Sequence, residues 1–489
     1  MLTSFETLRC RLLLVLSAGL LSACQIIPDA EEIQSTVAGK PLVSFDDIRA
    51  RDPQAKLGKR EDPKLIARYG GAVSSTKLER LLAPIAGALI AQTDRPDRAF
   101  SITVLNSPSV NAFALPGGYL YITRGLLALA NDEAEIAAVL AHEIAHVEHN
   151  HGVERRRKTE AADIANRVVK DVVKNPVAGA IAKASTKQRL AVYSRAQELQ
   201  ADAIGIKMLS KAGYDAFAAS RFLIAMERFA KWQSAANSGT AERLSSHPST
   251  PKRIELARRH ARSLGPEDQG KRGRDRMLRQ IDGLIFGDSE KEGFVRGRRF
   301  LHKGLGITFS VPPGFTIKNR SKAILVAGPQ EQAVRFDAVS SKGQGNPVKY
   351  ISSGWVNGLI ANSVQATTIN GFDAAQARAQ AGDWKFVVSV IAVDNRIFRF
   401  IFAAPKNAEE IGPKARGIVE SFRKLQASEK SALKPLRLKI VKVATGDTVA
   451  KLARRYVGVE RPEQLFRSLN ALGANDRIKP GQMVKLVVD

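Results

Sequence analysis

The stretch His142-Glu143-Ile144-Ala145-His146 decides how this chain is read. Residues four apart share a helix face, so His142 and His146 project side by side. Two neutral imidazoles at that spacing can hold one zinc ion, and Glu143, one residue round, can reach a water beside it. The flanking residues carry helix signals. Asn131-Asp132 is a good N-cap pair, and Glu133 and Glu135 place negative charge in the first turn. Ile136, Ala137, Val139, Leu140, Ile144 and Val147 form an apolar stripe at helical spacing, and Gly152 is the expected stop. Of the seven histidines, four lie between 142 and 151. His149 and His151, in the charged tail of that run, read as solvated bystanders.

Two histidines leave a zinc site one protein ligand short. Glu198 is the candidate third ligand, in the segment Ser194-Arg195-Ala196-Gln197-Glu198-Leu199-Gln200-Ala201-Asp202, which reads as a helix running on to Gly213. Glu198 and Asp202 are four apart and share a face. One carboxylate can bind the metal while the other holds a histidine ring from behind. Without the histidine helix, the same pair would read as ordinary acidic surface residues.

These residues, taken with Asn111-Ala112-Phe113-Ala114-Leu115-Pro116-Gly117-Gly118-Tyr119 and Ser246-His247-Pro248-Ser249-Thr250-Pro251-Lys252-Arg253-Ile254, resemble the M48 metallopeptidases. The resemblance covers roughly residues 63 to 285. It implies a mainly helical, gluzincin-type domain with a small β-sheet. It also implies one zinc ion held by His142, His146 and Glu198, with Glu143 as general base. By the same resemblance Asp202 supports a ligand. His247 and Arg253 correspond to a pair associated with transition-state stabilisation or, for the histidine, with occupying the metal in a latent state. Ser101 to Leu105 and Tyr119 to Thr123 alternate like strands around Pro-Gly-Gly. They read either as a plain hairpin or as an edge that pairs with extended substrate.

The first residues bear on location. Arg9 and Arg11 precede an apolar run, Leu12 to Leu21, too short to span a membrane. It ends in Leu21-Ser22-Ala23-Cys24, which resembles a bacterial lipobox with Cys24 as the lipidated residue. Residues 1–23 are therefore expected to be a lipoprotein signal peptide, and 24–62, polar and weakly periodic, a tether. Gln25 after the cysteine favours the outer membrane, facing the periplasm. Cys10 and Cys24 are the only cysteines, so no disulfide is possible within a monomer once the signal is removed.

The expected fold class is multidomain α+β, with the zinc domain at 63–285. Residues 153–192, basic and Ala-rich, read either as a lid or as a solvated helical hairpin. Residues 298–425 read as an α+β domain with a mainly antiparallel sheet and no catalytic cluster. Its expected strands lie near 306–311, 323–327, 334–338, 385–393 and 397–403, with helices over 347–361 and 407–424. Residues 435–489 resemble a LysM module through Gly446-Asp447-Thr448, Leu452-Ala453, Gln464-Leu465, Leu469-Asn470 and Ile478-Lys479-Pro480-Gly481. That resemblance implies a βααβ fold and binding to peptidoglycan.

The formal charge is +27. Such charge often marks nucleic-acid binding. Here no nucleic-acid module is recognisable, and aromatic residues are 6% of the chain, which leaves little for base stacking. Membrane headgroups and wall carboxylates are the better partners. Three functions remain open: an envelope endopeptidase acting on misfolded or unassembled proteins, a latent or non-enzymatic assembly or wall-scaffolding factor, and a peptidoglycan hydrolase. The intact Glu143 argues against a degenerate enzyme, and the metal motifs argue against the hydrolase.

Overall fold

A computed structural model describes residues 55–155, 194–236, 249–320, 323–341, 345–408, 412–456 and 459–489, with 49, 52, 157 and 247 besides. The signal segment, Cys24 and almost all of the 153–192 stretch lie outside the described residues. Among the described residues no helix is long and apolar enough to cross a membrane.

The N-terminal part contains helices α1 (Ala55–Arg68), α2 (Thr76–Ile90), α3 (Arg124–Leu129), α4 (Glu133–Glu148), α5 (Arg195–Lys211), α6 (Ala218–Ala236), α7 (Pro251–Leu264) and α8 (Arg274–Ile281). Its strands are β1 (Ser101–Leu105), β2 (Ala112–Leu115) and β3 (Tyr119–Thr123), in the order β1-β3-β2. β3 runs parallel to β1 and antiparallel to β2, so among the described residues β2 is an edge strand with no further strand beside it. α1 begins inside the stretch expected to be a tether. It packs tightly on the turn before β3: a Cβ on Gly58 would meet the Pro116 carbonyl oxygen at 2.0 Å, and Ala55 is buried.

α4 is the centre of this part. Asp132 caps it, accepting from the Glu135 amide at 2.9 Å, and Glu133 to His146 are buried except for Val139. The helix ends at Glu148 rather than at Gly152. Asn150 adopts φ of 54°, the left-handed conformation that ends helices, and the chain turns there into a short helical segment from residue 151. α5 lies against α4 because Gly205 has no side chain. A Cβ there would stand 3.0 Å from the His142 amide nitrogen.

Residues 294–424 form two antiparallel sheets. Seven strands, from Thr316–Arg320 to Arg396–Pro405, build one. Phe294–Arg296, Arg299–His302, Ile307–Ser310 and Arg423–Lys424 build the other. The helix expected over 347–361 is only Pro347–Ile351. Gly354 and Gly358, with φ of 87° and 74°, break it. The helix expected over 407–424 is Gly412–Glu420, followed by a strand. Phe372–Ala381 is an unexpected strand with helix-like, Ala-rich composition. Its small Ala375 and Ala377 pack in the same apolar cluster as Ile351.

The C-terminal part runs strand Arg437–Lys442, helices Val449–Ala453 and Pro462–Leu469, and strand Met483–Val488. The two strands pair antiparallel. Its core is continuous with that of the N-terminal part: Leu438, Phe466, Leu486 and Val487 belong to the same apolar cluster as Leu82, Leu127 and Ile136. Residues 283–286 add to the outer edge of its first strand, Gly283 N–H donating to Leu438 O at 2.8 Å and Phe286 N–H to Leu436 O at 2.7 Å.

Candidate metal centre

α4 presents His142 and His146 on one buried face, with Nε2 atoms 3.0 Å apart. α5 brings Glu198 over them, its carboxylate oxygens 3.6 Å from His142 Nε2 and 3.5 Å from His146 Nε2. His247, just before α7, completes the group, with Nδ1 3.2 Å from His142 Nε2 and 2.8 Å from Glu198 Oε1. One ligand atom from each of these four residues lies within 4.8 Å of every other. Three imidazole nitrogens and a carboxylate, buried and convergent, are the donor set of a divalent metal with nitrogen and oxygen preference. Burial pushes His146 down to about 3, so it stays neutral and keeps a lone pair for a ligand bond.

The surrounding charges hold this set in place. His142 Nδ1 faces Asp202 Oδ1 at 3.0 Å, which places its proton there and leaves Nε2 as the donor toward the centre. Arg253 donates from Nε and Nη2 to the two Asp202 oxygens, each at 2.7 Å, and its Nη1 lies 2.8 Å from Glu198 Oε2. Every guanidinium nitrogen of Arg253 therefore faces a carboxylate of the site. Burial opposes ionisation of Asp202, but the bonds from Arg253 and His142 outweigh it and the carboxyl sits below its ordinary range. Thr250 caps α7, accepting from the Arg253 amide at 3.2 Å, and so fixes where that guanidinium starts.

Glu143 is 3% exposed, and its Oε1 lies 3.4 Å from His247 Nε2. Burial raises its pKa above the ordinary carboxylate value, against the pull of His247 and His142. It lines two hollows at once. One is apolar, walled by Ala112, Leu126, Val139, Phe222 and Met226, with His142 at its mouth. The other is lined by Ala114, Pro116, His146 and Val147. β2 contributes to both, so a groove with Glu143 in its floor follows the free strand edge.

The seven residues singled out in the sequence, His142, Glu143, His146, Glu198, Asp202, His247 and Arg253, thus fall in one cluster. His151 corrects the sequence reading. It is 3% exposed, not solvated, and its Nδ1 lies 2.8 Å from His146 Nδ1. Charge density around 148–157 hid this, because the reversal at Asn150 was not foreseen. His149 is exposed, as expected. The pocket residues Phe222 and Met226 were also missed; on α6 they look like ordinary core.

Residues 75–261 match the model of peptidase family M48, and residues 441–487 match that of the LysM domain. This chain carries an M48 peptidase domain and a LysM domain. It is 27% identical over 263 residues to the beta-barrel assembly-enhancing protease of Yersinia pestis, covering 51% of this chain and 50% of that one. It is 26% identical over 203 residues to the Escherichia coli protein of the same name, covering 40% and 41%. It is 32% identical over 188 residues to mitochondrial metalloendopeptidase OMA1 of Schizosaccharomyces pombe, covering 38% and 52%. The chain spans about half the length of the curated relatives it matches.

Proposed function

We propose that this protein is a zinc-dependent metalloendopeptidase of the bacterial cell envelope that cleaves misfolded or unassembled envelope proteins. The observation that carries the reading is the buried His142, His146, Glu198 donor set, with the carboxylate of Glu143 beside it in a groove that follows a free strand edge. The M48 domain, a gluzincin-type fold at 63–285, is the catalytic part. Residues 298–425 form a separate α+β domain, and 435–489 hold the enzyme to peptidoglycan. Cys24 carries a lipid that anchors the chain to the outer membrane, on its periplasmic side, behind the 1–23 signal. The relatives' names and the lipobox-like start support the envelope assignment. No part of the reading calls for nucleic acid.

His142, His146 and Glu198 would hold the zinc, which when bound would supply Lewis-acid chemistry to the scissile carbonyl and the attacking water. Glu143 holds that water, takes its proton and passes it to the leaving amine. Asp202 keeps His142 in the ligating tautomer, and Arg253 pins both Asp202 and Glu198. His247, within reach of Glu143 and Glu198, would either donate to the developing oxyanion or occupy the metal in a latent state. Ala112 and Ala114 share one face of β2, so an extended chain added to β2 places every second side chain on the side where the two hollows lie, and recognition through backbone suits unfolded substrates.

The test uses the chain from residue 25 onward, with an unfolded protein as substrate. Cleavage is expected to stop with chelator and return with zinc. Zinc bound with cleavage only in His247→Ala would identify a latent enzyme. Zinc bound with every form inert would favour the assembly factor. The apolar hollow makes a further prediction. Met226→Trp fills it and should lower kcat/KM at large apolar residues about tenfold or more relative to small ones. Mass-spectrometric mapping of cleavage sites checks this, and an unchanged pattern would remove the hollow from substrate recognition.

A further inference from the structure

The reversal at Asn150 has a consequence at the metal centre. The Asn150 carbonyl accepts from the amides of Val153 and Glu154, at 3.0 and 3.1 Å, and starts the turn that folds residue 151 back under α4. Glu154 is tied to α5 by the Gln197 side chain, whose Nε2 donates to Glu154 Oε2 at 3.0 Å. The side chain of His151 is buried between the two helices. Its Nδ1 is 2.8 Å from His146 Nδ1, and its Nε2 is 3.3 Å from Gln200 Oε1.

The protons along this line can be placed. If His146 ligates through Nε2, its proton is on Nδ1, which donates to His151 Nδ1. His151 Nδ1 must then be the acceptor, so its own proton is on Nε2, where Gln200 Oε1 accepts it. Each nitrogen and oxygen in the series has one consistent role. We propose that His151, backed by Gln200, is a positioning residue that fixes the tautomer and ring orientation of His146 and so sets metal affinity. This rests on the metal-centre reading above.

The two ligating histidines are then held by different means. His142 is backed by a carboxylate that Arg253 keeps ionised, and His146 by a neutral imidazole. A carboxylate behind a ligand makes it a stronger donor than an imidazole does. The His146 side is the weaker arm, and His151 Nδ1 is a buried acceptor on which its strength depends.

The experiment measures zinc affinity by chelator competition on the full chain from residue 25, with no substrate present. Loss of an outer partner of a ligating histidine costs about 10–100-fold in metal affinity. His151→Leu fills the space without an acceptor and is expected to show that loss. His151→Asn places an oxygen near the position of Nδ1 and is expected to recover most of it, which a purely packing role would not. Gln200→Leu acts at an exposed position on α5, does not threaten folding, and is expected to weaken binding several-fold. If His151→Leu fails to fold, Gln200→Leu carries the test. Wild-type affinity in both Leu variants would overturn the proposal, as would equal loss in His151→Leu and His151→Asn. Wild-type protein that takes up no zinc would bring down the metal-centre reading and this proposal together. Normal uptake with indifferent variants would bring down this proposal alone.

Discussion

Glu143→Gln is expected to lower kcat/KM for peptide cleavage by about 10²–10⁴-fold, the usual contribution of a general base. Zinc content and thermal melting should stay at wild-type values. Glutamine keeps the shape of the side chain and can still hold a water, but it cannot accept a proton. The position favours this outcome. Glu143 is buried, one residue round α4 from His142, at the junction of the two hollows. Burial raises its pKa above the ordinary carboxylate value, which makes it a better proton acceptor than an exposed glutamate. The substitution separates catalysis from metal binding, because Glu143 is not in the four-residue donor set. The assay is single-substrate kinetics on an unfolded protein, beside metal analysis of the same sample. Unchanged cleavage with full zinc would remove Glu143 from the chemistry. Lost zinc would show that its charge holds the site together instead.

Much of this site was legible because it is built on helices. Spacing of four is enough to place His142 beside His146 and Glu198 beside Asp202, whatever the rest of the chain does. What brings the two pairs together is Gly205, a residue with no chemistry of its own, and nothing in its flanks announces that α4 crosses there. His151 was misread for a related reason. Its neighbours Glu148, Asn150, Glu154 and Arg155 are those of an exposed helix end, and only the left-handed Asn150 turns it inward. In the central region the β-branched and aromatic runs within Trp384–Val393 and Arg396–Pro405 are strand signals, and these two strands lie in the middle of the sheet. The strand Phe372–Ala381 was missed because alanine favours helix, whereas here its small size lets a helix sit close over the sheet. Tertiary packing decided in each case.

The C-terminal module, which matches the LysM domain, is joined to the M48 domain by a buried lysine. Lys485 is fully buried and donates from Nζ to the carbonyls of Ala128, Leu129 and Ala130, at 2.9, 3.1 and 2.8 Å. These lie at the C-terminal end of α3, where helix carbonyls lack partners and the dipole favours a cation. Three acceptors match the three N–H groups of an ammonium. The lysine backbone is held in turn by Asn470, whose Oδ1 accepts from the Lys485 amide at 2.7 Å. Arg274 reinforces the joint, donating to Asn131 O at 3.0 Å and to Met483 O at 3.1 Å. On α6, Trp232 Nε1 donates to Glu460 O at 3.1 Å, so the helix that walls the apolar hollow also carries the module. Lys485→Met keeps the volume and removes the donors. It should cost about 3–5 kcal/mol, since the Ala128 and Ala130 carbonyls lose this donor in a buried place, while Leu129 O keeps the Asn131 side chain. Denaturant unfolding measures this, and the lost stability should appear in the M48 domain, whose apolar core is shared with the module. Truncation before residue 435 should be worse, exposing the shared face and leaving residues 283–286 without the strand they pair with. A truncated chain that melts like the intact one would show instead that the module is a separable appendage. The expected result would mean that the LysM module holds the groove beside the metal centre at a set orientation, rather than hanging from a flexible leash.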